Sequence, residues 1–101
     1  MGPKLTKVVT VKLTDKQAEV YRLLLNTCAE HNREEVTLAE VADQSKAMYI
    51  SGGTFRKYSP TKLYPVVCAL ERHRVAYITW CSHKLAYVRV RIDPDYLLTE
   101  E

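Results

Sequence analysis

Arg56, Lys57 and Lys62 lie close together in the chain, Arg72 and Arg74 follow, and Lys84, Arg89 and Arg91 come near the end. The acids gather in the first half instead, at Glu30, Glu34, Glu35, Glu40 and Asp43. Ammonium and guanidinium groups clustered in this way suit phosphate oxygens, with each contact neutralising one charge of a polyanion. A net charge of +3 over 101 residues permits such a partner without demanding one. Any single cation of the set is an ordinary solvated charge. The grouping is what carries information.

Covalent and metal chemistry find little support. His31, His73 and His83 fall in different stretches, and none has a cysteine at a nucleophile's spacing. Cys68 and His73 are five residues apart, which on a helix places them on different faces. The three cysteines, Cys28, Cys68 and Cys81, contain no CxxC pair. An odd, widely spaced set fits neither a disulfide framework nor a tetrahedral zinc site, and Cys28 and Cys68 read as small buried hydrophobes. Ser51-Gly52-Gly53 is too little for a phosphate loop. The expectation is a binding protein, not an enzyme, with no cofactor and no identifiable small-molecule ligand.

The elements that must position the cations can be read along the chain. With 47% hydrophobic and 27% charged residues, the composition is that of one globular domain over residues 1–101. No apolar run approaches the roughly 18 residues needed to cross a bilayer, and "MGPKLTKVV" has no signal-peptide pattern. A cytoplasmic protein with no membrane partner is expected. Residues 7–13 alternate as a short strand, with Val9, Val11 and Leu13 on one face. Thr14 and Gln17 form a capping box that opens a helix over Asp15–His31. Its apolar stripe is Val20, Leu24 and Cys28, with Tyr21 and Leu25 beside them. Asn32–Val36 reads as a polar turn. Thr37 and Glu40 repeat the capping box before a second, short helix over Leu38–Gln44, with Leu38, Val41 and Ala42 inward.

Ala47–Tyr58 is broken at Gly52 and Gly53 and reads either as an ordinary connection or as a loop that packs Tyr49, Phe55 and Tyr58 down and presents Arg56 and Lys57. Ser59 as N-cap and Pro60 at the first helical position then open a third helix reaching His73, with Leu63, Val66, Val67 and Leu70 inward. Pro65 lies inside it, where a proline costs about 3 kcal/mol and frees the Thr61 carbonyl. A tilted first turn is the expected result. Val75–Ile92 reads as a hairpin turning near Ser82, His83 and Lys84. Ile78 and Trp80 alternate with Tyr77 and Thr79 on one strand, and Val88, Val90 and Ile92 alternate with Tyr87, Arg89 and Arg91 on the other. The order predicts an α+β winged helix-turn-helix: three helices, a short N-terminal strand and a C-terminal β-hairpin wing.

Within this frame, "SPTKLYPVVCALERHRV" resembles the third helix of the PadR-like winged-helix transcriptional regulators. Those read Ser-Pro, two residues, Leu-Tyr-Pro, four residues, Leu-Glu; here the positions are Ser59, Pro60, Leu63, Tyr64, Pro65, Leu70 and Glu71. Arg74 stands where the family has a glycine, so the helix-to-strand turn is expected to be made differently. The resemblance implies a homodimer that binds double-stranded DNA. Family members dimerise through an extra C-terminal helix, for which Asp93–Glu101 is too short. Dimer contacts are therefore expected on the first helix, the N-terminal strand or Tyr96, Leu97 and Leu98.

In a helix-turn-helix the second helix of the pair enters the major groove near its N-terminal end. Thr61 and Lys62 are placed for first-turn contacts, Pro65 and Cys68 also face outward, and Arg72 lies on the last turn. Amides at Ser59 to Lys62 favour a phosphate. Arg56 and Lys57 are candidates for backbone contacts, with Thr54 and Tyr58 as hydrogen-bond donors beside them. His83 and Lys84 at the hairpin tip suit the minor groove or a phosphate, and Arg89 points outward. The competing expectation is a winged helix that binds a protein partner and no DNA, which fold alone does not exclude.

Overall fold

A computed structural model describes residues 12–52 and 56–92. The elements run α1 (Asp15–His31), β1 (Glu35–Thr37), α2 (Leu38–Ser51), α3 (Pro60–Arg72), β2 (Ala76–Trp80), a 3-10 turn at Leu85–Tyr87, and β3 (Arg89–Ile92). The protein is α+β: three helices pack on a three-stranded antiparallel sheet in the order β1-β3-β2. This arrangement is compatible with a winged helix. The strand expected at residues 7–13 lies outside the described residues, apart from Lys12 and Leu13, which belong to no regular element.

Helix α1 matches its expected bounds because the cap fixes its start. Thr14 Oγ1 accepts from the Gln17 amide at 3.1 Å, and Gln17 Oε1 accepts from the Thr14 amide at 3.1 Å. The helix buries Val20, Tyr21, Leu23, Leu24, Thr27 and Cys28. Leu25, expected beside the stripe, is 41% exposed instead. At about 100° per residue it lies roughly 140° around the helix from Val20, while Leu23 and Thr27 fall close to the Val20 direction.

The "polar turn" expected after α1 contains β1, whose Val36 is buried and pairs with Val90 of β3. A strand of three residues has one inward side chain, so it offers no alternation to read. Helix α2 does not stop at Gln44 but runs to Ser51 and ends on Gly52, which adopts φ 86°. Only Leu38, Val41, Ala42 and Ser45 are buried; beyond them Tyr49 and Ile50 are 45% and 84% exposed. The second half of α2 thus lacks an apolar stripe and looks like a loop in the sequence.

Helix α3 occupies Pro60–Arg72, continues through Pro65 and buries Leu63, Val66, Val67, Ala69 and Leu70. Pro65 and Thr61 are both exposed, so water can reach the side from which the ring removes a donor. Its C-terminus makes a Schellman turn: the Arg74 amide bonds to Glu71 O at 2.9 Å and the Val75 amide to Leu70 O at 3.2 Å. Leu70 and Val75 are fully buried beneath it. Arg74 takes the left-handed conformation itself, at φ 63°. The turn is therefore made as a glycine would make it, with an L-residue bearing about 1–2 kcal/mol of strain.

The hairpin forms, but with a longer connection, Cys81–Val88, that includes the 3-10 turn. A bulge also interrupts β2. Ile78 pairs with Val90, yet Trp80 pairs with Arg89, so Thr79 is the extra residue. The insertion turns Trp80 away from the Ile78 side, onto the outer face of the sheet with Arg89, where it is 55% exposed. The expected shared face of Ile78 and Trp80 is corrected by that one residue. A single buried cluster joins Val20, Leu24, Leu38, Val41, Leu63, Val67, Leu70, Val88 and Val90.

Candidate nucleic-acid interface

The chain between α2 and α3 is tied down at Tyr58. Ser45, fully buried on α2, donates to Ala42 O at 2.7 Å and accepts from the Tyr58 amide at 3.0 Å. The Tyr58 ring is buried, and its hydroxyl donates to Glu19 Oε1 at 2.6 Å. Burial, then the hydrogen bond and charge of Glu19, push its phenol well above the ordinary tyrosine value. Tyr58 was expected as a surface donor. It is a core residue with its polar end committed, and it drops out of the candidate set.

The neighbouring cations are also engaged. Arg56 Nε lies 3.7 Å from Glu19 Oε1, and Lys57 Nζ lies 5.5 Å from the centroid of the Tyr49 ring. Thr54 lies outside the described residues. Directly after this anchored segment, Ser59 Oγ accepts from the Lys62 amide at 3.3 Å and caps α3. Ser59, Thr61 and Lys62 are all exposed. Among the described residues, the Thr61 hydroxyl and the Lys62 ammonium have no intramolecular partner. Tyr64 is half-buried against the core, and Cys68 is half-buried, not fully buried as expected. Cys28 is buried, and that burial raises its thiol above the ordinary value.

Arg72 is exposed but stands at the other end of α3, about 16 Å from Thr61 by helix rise. There a cation favours the helix dipole. It does not join the first-turn group.

The hairpin is fixed to the same helix by Glu71, whose Oε2 accepts from the Ile78 amide at 3.2 Å. At its tip the Ser82 hydroxyl accepts from the Lys84 amide at 3.2 Å, and the side chains of His83 and Lys84 are exposed. Arg89 is exposed on the outer sheet face, 3.7 Å from Glu35 and with its guanidinium 5.7 Å from the Trp80 ring centroid. Arg91 bonds Glu34 at 3.1 Å. Together with Arg33 these ion-paired residues line an open groove of about 550 Å³ over the paired β1 and β3 strands. Its arginines are each engaged by a carboxylate, Arg89 by Glu35, Arg91 by Glu34 and Arg33 by Glu40 outside the lining, which weakens it as an anion site.

The described residues thus give three groups: Ser59, Thr61 and Lys62 on α3, His83 and Lys84 on the hairpin tip, and the engaged cations Arg56, Lys57 and Arg89. Sequence reasoning missed the outward Trp80, and only a signal for the bulge could have revealed it. No group of His, Cys, Asp and Glu able to hold a metal ion occurs among the described residues, and no helix there is long and apolar enough to cross a membrane. No known family profile matches the chain, and neither does any curated protein compared with it.

Proposed function

We propose that the chain is a winged helix of PadR-like type that binds double-stranded DNA and acts in transcriptional regulation. Helix α3 enters the major groove by its first turn, and the β2–β3 hairpin rests on the backbone or in the minor groove. The observation that carries this reading is the open first turn of α3. Thr61 and Lys62 are exposed and uncommitted above a face buried through Leu63, Val67 and Leu70. The Glu71–Ile78 hydrogen bond adds a hairpin held against the same helix, with His83 and Lys84 at its tip. A homodimer on a pseudo-palindromic site belongs to the same proposal.

The test is a fluorescence-anisotropy titration with random duplex at several salt concentrations. Affinity should fall with salt at a slope of about −0.9 for each phosphate contacted. Absence of binding at low salt sinks the reading. A second reading, a winged helix that docks a protein, draws on Tyr49 and Ile50 at the end of α2, 45% and 84% exposed. A duplex-silent chain that retains a partner through Ile50 would establish it.

A further inference from the structure

The hairpin carries an aromatic ring that neither the core nor the proposed groove contacts use. Trp80 is the one tryptophan of the chain. The bulge at Thr79 aims it outward, 55% exposed, instead of letting it continue the Ile78 side toward the core. Bulges that re-aim a side chain are functional devices more often than defects. One face of the ring lies under the Arg89 guanidinium at 5.7 Å, and Arg89 is held in turn by Glu35. The ring is thus pre-positioned, which lowers the ordering cost of a ligand that stacks on it. Beside it opens a shallow cavity of about 440 Å³ lined by Trp80, Cys81, Ser82 and His83. Lys84 follows at the tip with an uncommitted ammonium among the described residues.

From this juxtaposition we infer that the hairpin is a binding site for an unpaired nucleobase, with Trp80 as the stacking platform and His83 and Lys84 beside it for the adjoining phosphates. A flat ring meets the π-face of a base, and every base has one. Paired bases inside a duplex do not present that face, so the site selects single strands, frayed ends or gaps. The uncommitted Lys84 ammonium near the ring favours a nucleic-acid strand over an apolar partner. The inference extends the DNA-binding reading to a second type of substrate, but its test does not depend on duplex binding.

Because the chain has a single tryptophan, its emission reports on this site alone. The full chain is titrated with oligothymidine, with random duplex of blunt ends, and with inorganic polyphosphate. Saturable quenching by oligothymidine that greatly exceeds quenching by either of the others is the expected result. Trp80→Ala should weaken oligothymidine binding by roughly 5- to 100-fold while changing duplex affinity less than twofold, with binding followed by anisotropy. Trp80→Phe keeps a ring and should restore most of the loss, which separates stacking from damage to the hairpin. Equal quenching by polyphosphate overturns the inference, since charge alone would then account for it. So does oligothymidine binding without quenching, no binding of oligothymidine at all, or a Trp80 emission that shifts with protein concentration alone and so reports a second copy on the ring. Duplex binding without oligothymidine quenching removes this inference and leaves the proposed function standing. Quenching without duplex binding does the reverse.

Discussion

The segment leading into α3 and the tip of the β2–β3 hairpin both carry cations, yet they are built differently. In the first, Arg56 lies beside Glu19, Lys57 lies over Tyr49, and Tyr58 is fastened at both its amide and its hydroxyl. In the second, His83 and Lys84 project from a turn held by the Ser82 hydroxyl and a backbone bond from Tyr87, with no side-chain partners among the described residues. Positive charge next to a helix start is therefore not by itself a contact surface. In the segment before α3 it is engaged by Glu19 and Tyr49, beside the Tyr58 anchor that leads into the cap. On the first turn of α3 and at the hairpin tip it is left for something else.

The strongest way to break this contrast is to cut the fastening. Ser45→Ala leaves the buried Tyr58 amide without its acceptor and should cost about 2 kcal/mol of stability in denaturant unfolding. A change near zero would mean that the segment is not anchored there. Tyr58→Phe removes the hydroxyl bond to a carboxylate and should cost about 1.5 kcal/mol. It also has a pH signature. Burial and Glu19 raise the folded phenol above its ordinary 10.0, so this contribution is complete below that value and is lost as pH rises through the folded value. The alkaline loss should shrink in the phenylalanine variant.

Arg74→Gly sharpens the contrast from the hairpin side. Relief of the left-handed backbone at φ 63° should raise stability by about 1 kcal/mol without moving the hairpin. The smallest effect separates the two kinds of cation directly. Lys62→Ala should reduce the magnitude of the duplex salt slope by about 0.9, one phosphate's worth. Arg56→Ala should reduce it clearly less and cost under about 1 kcal/mol of stability, as exposed ion pairs do. Equal slope changes would erase the distinction.

Much of the helical frame was legible because its signals are local. Thr14 with Gln17, Thr37 with Glu40, and Ser59 with Pro60 mark helix starts through bonds that span three residues, and all three starts occur where those residues stand. What was not legible depends on distant partners. β1 exists because Val36 finds Val90, and a three-residue strand has no period of its own. The end of α2 was hidden because Tyr49 and Ile50 face solvent and break the stripe. Tyr58 was open to two readings, an inward-packed ring or a surface donor, and Ser45 and Glu19, both distant in sequence, decide for the first. Trp80 was assigned to the wrong face because one unpaired residue shifts every side chain beyond it.

Glu71 has a consequence of its own. By accepting the Ile78 amide it ties the last turn of α3 to the strand that carries the hairpin. On the proposed reading, the two parts that straddle a duplex are then coupled, and opening one against the other breaks this bond. Such a molecule would act as a gauge with stiffened jaws. It would favour DNA whose groove width already fits, and it would disfavour a sequence too stiff to adjust, even at base pairs it never touches.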